Sequence, residues 1–209
     1  MANPKFVAVF SDIGGVLGTN GWDTELRLRI AERFRCDKEE IQARHRLMFD
    51  SYERGYMTFE QYLLRVFFAT PRPFTIDEVR QFAYGESIPW HDNINLLRRV
   101  KAANNLKIGL ISNEGEGLTE HRVRKFGLRE LADFLVFSYF VHMRKPDLEI
   151  WNLALNLAQV DPSETIYIDD REMFAEVAAE MGFTAICHVS LEKTRDRLLQ
   201  LGLRVPDQV

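Results

Sequence analysis

Val7-Ala8-Val9-Phe10-Ser11-Asp12-Ile13-Gly14-Gly15-Val16-Leu17 is the stretch that decides how the rest of the chain is read. An apolar run with the character of a buried strand stops at a single carboxylate, Asp12, and two glycines follow almost at once. Open α/β sheets place their ligands at the carboxyl ends of their strands. A carboxylate at that point therefore reads as a nucleophile or a metal ligand rather than as packing. Gly14 and Gly15 let the backbone turn sharply and approach a bound group. A second carboxylate two residues after Asp12 would be the customary acid/base partner, and Gly14 stands there instead.

Outward from this segment, residues from about 20 to about 90 read as a string of short helices without a strand. Leu26, Ile30 and Phe34 recur at helical spacing. Asp37 with Glu40, Thr58 with Gln61 and Thr75 with Glu78 have the spacing of capping boxes. Beyond Pro89 the character changes. Strands are expected at 107–111, 134–137, 165–168 and 184–188, with helices near 118–126, 148–158, 173–181 and 191–201. Alternation of this kind predicts an α/β fold, a Rossmann-like parallel sheet with helices on both faces. The first strand must join that sheet. The chain is then expected to divide into a core of residues 1–18 and 92–209 and an inserted α-helical cap of residues 19–91.

Bulk properties narrow the function classes. The 209 residues suit one large domain or one domain with an insertion. A net charge of -4, from 27 basic and 31 acidic residues, gives no electrostatic case for nucleic acid. No apolar run reaches the roughly 20 residues that span a bilayer. Residues 1–5 lead directly into a strand and leave no room for a signal peptide. Cys36 and Cys187 lack metal-binding spacing and read as reduced thiols. The expectation is a cytoplasmic protein acting on a small molecule, with no nucleic-acid or membrane partner.

Each later strand end also carries polar residues. Ser112-Asn113 follow the second strand, Lys145-Pro146-Asp147 lies in the loop before a helix after the third, and Asp169-Asp170 follow the fourth. In a parallel sheet these ends share one edge and converge on one crevice. Three carboxylates at close range repel, and a hard cation such as Mg²⁺ relieves that repulsion through oxygen ligands. Lys145 offsets further charge, and Ser112 with free helix N–H groups suits a phosphate oxygen. The set fits attack of a carboxylate on a phosphoryl group.

The order Asp12 … Ser112 … Lys145-Pro146-Asp147 … Asp169-Asp170 resembles the haloacid dehalogenase superfamily of hydrolases, over the whole chain. The form Asp-x-Gly-Gly-Val-Leu is similar to a variant of that family often seen with small helical caps. The resemblance implies that Asp12 is the nucleophile and a Mg²⁺ ligand, with the Gly14 carbonyl as a backbone ligand. It further implies that Ser112 binds phosphate with Asn113 beside it, and that Lys145 steadies nucleophile and phosphate. Asp170 would be the direct metal ligand of the acidic pair and Asp169 its supporting partner. The activity implied is Mg²⁺-dependent hydrolysis of a small phosphomonoester, such as a sugar phosphate, through an aspartyl-phosphate. Two alternatives stay open: a 2-haloacid dehalogenase, whose halide needs no proton, and a non-catalytic phosphate-sensing protein. Losing the acid at position 14 would cost roughly 10²–10⁴-fold. Glu114 and Glu116 are candidate substitutes, and Asn20, Trp22, His142, Arg144 and the Arg44-His45-Arg46 triplet are candidate substrate contacts.

Overall fold

The structure is a computed structural model that describes residues 6–206. The reading of residues 1–5 lies outside them. Five strands, Ala8–Ser11 (β1), Lys107–Ser112 (β2), Phe134–Phe137 (β3), Thr165–Asp169 (β4) and Thr184–Cys187 (β5), form one sheet in the order β3-β2-β1-β4-β5. All four pairings are parallel.

Strands buried on both faces must be apolar on both, which is why these segments read as runs and not as alternations. Successive side chains of β1 go to opposite layers: Val9 joins one core and Ala8 and Phe10 the other. β4 divides likewise, with Ile166 and Ile168 on the first side and Tyr167 on the second. The first layer is closed by four helices, His91–Asn104 (α5), Leu118–Lys125 (α6), Leu128–Leu131 (α7) and Leu191–Gln200 (α11). Opposite them lie Leu148–Ala158 (α9), which contributes Ile150, Trp151 and Ala154, and Glu172–Glu180 (α10), which contributes Phe174 and Ala178. The short helices α7 and Ser138–Val141 (α8) are absent from the sequence reading. Each has four residues, too few to display a helical period.

Between β1 and α5 lie Thr24–Arg33 (α1), Lys38–Glu53 (α2), Phe59–Phe67 (α3) and Ile76–Glu86 (α4). They bury a separate core that includes Leu26, Ile30, Tyr52, Tyr62, Phe67 and Val79. Phe68, Phe74 and Tyr84 pack against its margin. Thr58–Gln61 and Thr75–Glu78 form complete capping boxes. At α2 the box is only half made. Asp37 accepts from Glu40 N at 2.7 Å, but the Glu40 carboxylate turns away to pair with Arg44 and Arg72.

The two connections to this four-helix segment run side by side. Thr19 N donates to Ile88 O at 3.0 Å, Trp90 N donates to Leu17 O at 2.9 Å, and Gly18 bridges Pro89. A second attachment joins the end of α2 to the loops after β2 and β3. Arg54 meets Asp147 at 2.7 Å, Arg144 meets Glu53 at 2.7 Å, and the Tyr52 hydroxyl donates to Glu116 O at 2.6 Å. No helix among the described residues is long and apolar enough to cross a membrane.

Candidate active site

Asp12 leaves β1 with its backbone N–H donating to Ile168 O at 2.8 Å, so the sheet ladder fixes where its side chain emerges. The residue is 7% exposed. Lys145 reaches in from the loop after α8. Its Nζ lies 3.1 Å from Asp12 Oδ1 and 2.6 Å from Asp169 Oδ2. Burial pulls the Lys145 ammonium down, but Asp12, Tyr167 and Asp169 together hold it well above the ordinary lysine range. The lysine is therefore charged, and it sits between two carboxylates.

Asp169 is fully buried and saturated. Oδ2 accepts from Lys145 and from the Tyr167 hydroxyl at 2.5 Å, and Oδ1 accepts from Arg171 N at 2.9 Å. Asp12 and Asp170 differ: Asp12 Oδ1 and Asp170 Oδ1 are both buried without a hydrogen-bond partner. The ion pair from Lys145 to Asp12 lacks the angle of a hydrogen bond. Oxygen atoms of Asp12, Asp169 and Asp170 lie within 4.8 Å of one another.

Such crowding has an electrostatic cost. Burial raises the Asp12 carboxyl, with Lys145 opposing and Asp169 adding to the rise. Burial, Asp12 and Asp169 push the Asp170 carboxyl up to about 6. Two orphaned carboxylate oxygens that resist ionisation beside one another form a donor set for a small hard cation, which would reverse both shifts. Asp12 and Asp170 fit Mg²⁺ as direct ligands, and Asp169, already saturated, fits a supporting place. Gly15 leaves room for this. Its φ is +67°, and a Cβ there would run into the Asp170 carboxylate.

Ser112, at the end of β2, is 2% exposed and close enough to Asp12 to favour its charged form. Asn113 lines the cavity and also exchanges two hydrogen bonds with the backbone of Lys145. The cavity over Asp12, about 370 Å³, is lined on the sheet side by Asp12, Gly14, Ser112, Asn113 and Lys145. The four-helix segment supplies Trp22, Arg27, His45, Phe49 and Glu53 to the opposite wall.

The remaining candidates separate clearly. Trp22 lines the cavity and packs edge-on against Phe59, Tyr62 and Phe67 while donating to the Tyr62 hydroxyl at 2.5 Å. Of the basic triplet only His45 lines the cavity, with Nδ1 2.7 Å from the Tyr62 hydroxyl. Burial, Arg27 and Arg46 lower it to about 3, so it is neutral. Arg144 lines the cavity but is held by Glu53, and His142 turns outward to stack on Tyr56. Glu116 accepts from Phe59 N and does not line the cavity. Glu114 does line it, but its carboxylate is buried against Arg122 and Thr119. Burial, opposed by Arg122, raises it.

Residues 6–182 match the family model described as haloacid dehalogenase-like hydrolase. The chain belongs to the haloacid dehalogenase-like hydrolases. It is 24% identical over 170 residues to the chloroplast flavin mononucleotide hydrolase 1 of Arabidopsis thaliana, a match covering 80% of this chain and 67% of that protein. It is 28% identical over 144 residues to the pyrimidine 5'-nucleotidase YjjG of Escherichia coli K12, covering 64% of this chain and 62% of that one. Among solved structures, an enzyme of the same family from Bacteroides thetaiotaomicron superposes with a TM-score of 0.78 at 21% identity, over 92% of this chain and 98% of that one. That enzyme has also been solved with magnesium and inorganic phosphate, and this form superposes at 0.73. The likeness in fold extends across nearly the whole hydrolase, four-helix segment included.

Proposed function

We propose that this hydrolase is a Mg²⁺-dependent phosphatase that cleaves a small phosphomonoester through an aspartyl-phosphate on Asp12. One observation carries the reading: two buried carboxylate oxygens, on Asp12 and Asp170, lack a hydrogen-bond partner beside a charged lysine and a saturated third carboxylate. A dehalogenase has no need of a cation there. The names of the two curated relatives, a flavin mononucleotide hydrolase and a 5'-nucleotidase, support ester hydrolysis at a phosphate.

In this reading Asp12 attacks phosphorus in line with the leaving oxygen. Lys145 favours the charged form of Asp12 against the effect of burial and offsets charge on the transferred group. Ser112 takes one phosphoryl oxygen. Asp12, the Gly14 carbonyl and Asp170 would hold Mg²⁺, which when bound supplies positive charge to the phosphoryl oxygens. The four-helix segment acts as a cap, whose wall of Trp22, His45 and Phe49 closes over the ester and excludes water. Two free cysteines, one of them exposed, accord with a reducing cytosolic setting.

The test is phosphate release from a panel of phosphorylated metabolites, with and without Mg²⁺, beside Asp12→Asn. Turnover that needs both Mg²⁺ and Asp12 is expected. Metal-independent halide release from 2-haloacids would replace the reading with dehalogenation. Binding of Mg²⁺ and phosphate without turnover of any ester would replace it with sensing.

A further inference from the structure

An ester oxygen leaving phosphorus gathers negative charge, and a protein acid within reach normally shares a proton with it. The place for such an acid two residues beyond Asp12 is filled. A Cβ built on Gly14 would lie 2.8 Å from Asn20 Oδ1 and 3.4 Å from Asn20 Cα. A side chain at residue 14 would thus project into the space that the Asn20 amide occupies. Asn20 lines the cavity, and its Nδ2 donates to Asp170 Oδ2 at 3.4 Å. An amide can orient a neighbour but has no proton to give up.

All but one of the carboxyl, imidazole and ammonium groups around the cavity are committed elsewhere. Glu114 is held by Arg122 and Thr119, and Gly21 lies over it, with a Cβ built there 3.6 Å from each carboxylate oxygen. Glu53 accepts two hydrogen bonds from Arg144. Asp23 caps α1 through Leu26 N. His45 is tied to Tyr62, and Lys145 lies between Asp12 and Asp169. Glu25, on the first turn of α1, is the exposed carboxylate of the rim.

We infer that Asn20 stands in place of a general acid, and that the enzyme acts on phosphate esters whose leaving oxygen is stable as an anion. Phenol, enol and hemiacetal oxygens belong to this class, and simple alkyl alcohols do not. The inference rests on the phosphatase reading above. In the first step the Asp12 oxygen–phosphorus bond forms as the bond to the leaving oxygen breaks. That oxygen keeps the electron pair and takes a proton from solvent after it departs. In the second step water attacks phosphorus, the bond to Asp12 breaks, the carboxylate is restored and the proton of water passes to solvent. Asn20 is a positioning residue that holds the Asp170 side of the site.

The experiment measures kcat/KM with Mg²⁺ for a series of aryl phosphates of rising leaving-group pKa and for an alkyl phosphate. This ratio reports the first step even if the second limits kcat. The wild type is expected to favour the most acidic aryl ester over the alkyl ester by at least the roughly 10²–10⁴-fold that a general acid would otherwise supply. Asn20→Asp places a carboxyl where the amide stands, and should narrow that gap and make alkyl-ester turnover fall as pH rises through the pKa of the new carboxyl. Asn20→Ala should leave the gap as wide. So should Glu25→Gln and Glu114→Gln, and their aryl turnover reports that they fold. A wild-type gap within about tenfold would overturn the inference, because that is less than a missing acid costs. A gap that widens in Glu25→Gln or Glu114→Gln would overturn it by naming the acid. Absence of turnover on every ester would overturn the phosphatase reading itself, a distinct result.

Discussion

The Asn113 side chain and the Lys145 backbone exchange two hydrogen bonds. Nδ2 donates to Lys145 O at 2.7 Å, and Oδ1 accepts from Lys145 N at 2.8 Å. The end of β2 thereby grips the loop that delivers the lysine to Asp12. Asn113→Ala removes both bonds and leaves two part-buried backbone groups without partners, at a cost of about 1–3 kcal/mol. Urea unfolding should show that loss, and kcat/KM should fall while KM for the ester moves little.

Lys145→Met acts on the same relationship from the other side. It leaves Asp12 and Asp169 buried without their shared cation, a loss of about 3–5 kcal/mol when Mg²⁺ is absent. Added Mg²⁺ supplies replacement charge, so the urea midpoint of this variant should rise more with Mg²⁺ than that of the wild type. Equal rises would mean that Lys145 and the metal site are electrostatically independent.

Asp170 makes metal binding depend on pH in a stated direction. Its folded-state carboxyl is raised to about 6 from 3.8. The folded metal-free chain therefore holds this proton more tightly than the unfolded chain does. This group's contribution to stability declines as pH rises from about 4 through about 6. A cation competes with the proton, so the rise in Tm produced by Mg²⁺ should be small at pH 5 and grow toward pH 7.5. A Mg²⁺ effect that is flat across this range would remove Asp170 from the ligand set.

Asp12→Asn should reduce phosphate release to background. It also takes one charge from a crowded trio, so the metal-free Tm should rise above that of the wild type. The two effects together distinguish a nucleophile in a repulsive cluster from a residue that merely supports the fold.

The buried pair of Arg122 and Glu114 offers a fifth check. Arg122 also donates to Thr19 O at 2.8 Å, which ties α6 to the turn that carries Asn20 and Gly21. Arg122→Met strands the Glu114 charge and should cost about 3–5 kcal/mol, with part returned by adding Glu114→Gln. Calorimetry of the single and double variants reads this directly.

The sheet was legible in the sequence because doubly buried strands carry continuous apolar runs that break at polar residues. Val7 to Phe10 and Thr165 to Ile168 announce themselves this way. The convergence of Asp12, Lys145 and Asp169 was legible for the same reason, since parallel strands present their ends on one edge. Tyr167 was missed, although it lies two residues before Asp169 on one strand and so shares its face. Asn113 was read only as a substrate contact, because a side chain that bonds to distant backbone leaves no mark in local spacing. The place of Asn20 beside Gly14, and the wall of Trp22, His45 and Phe49, depend on how four helices dock. Amphipathic spacing says which face is buried but not against what.

The paired connections at Thr19–Ile88 and Leu17–Trp90 have a consequence for how this molecule can vary. Because the chain departs from the sheet and returns to it at neighbouring points, the strands register only that short ribbon. What hangs from it can vary wherever it does not dock on the loop that carries Lys145. The sheet that holds Asp12 and the four-helix segment are thus joined by this ribbon and by a docked seam, where Tyr52, Glu53 and Arg54 meet the loops after β2 and β3 and Leu118 enters the helical core. One half can diversify while the other stays fixed.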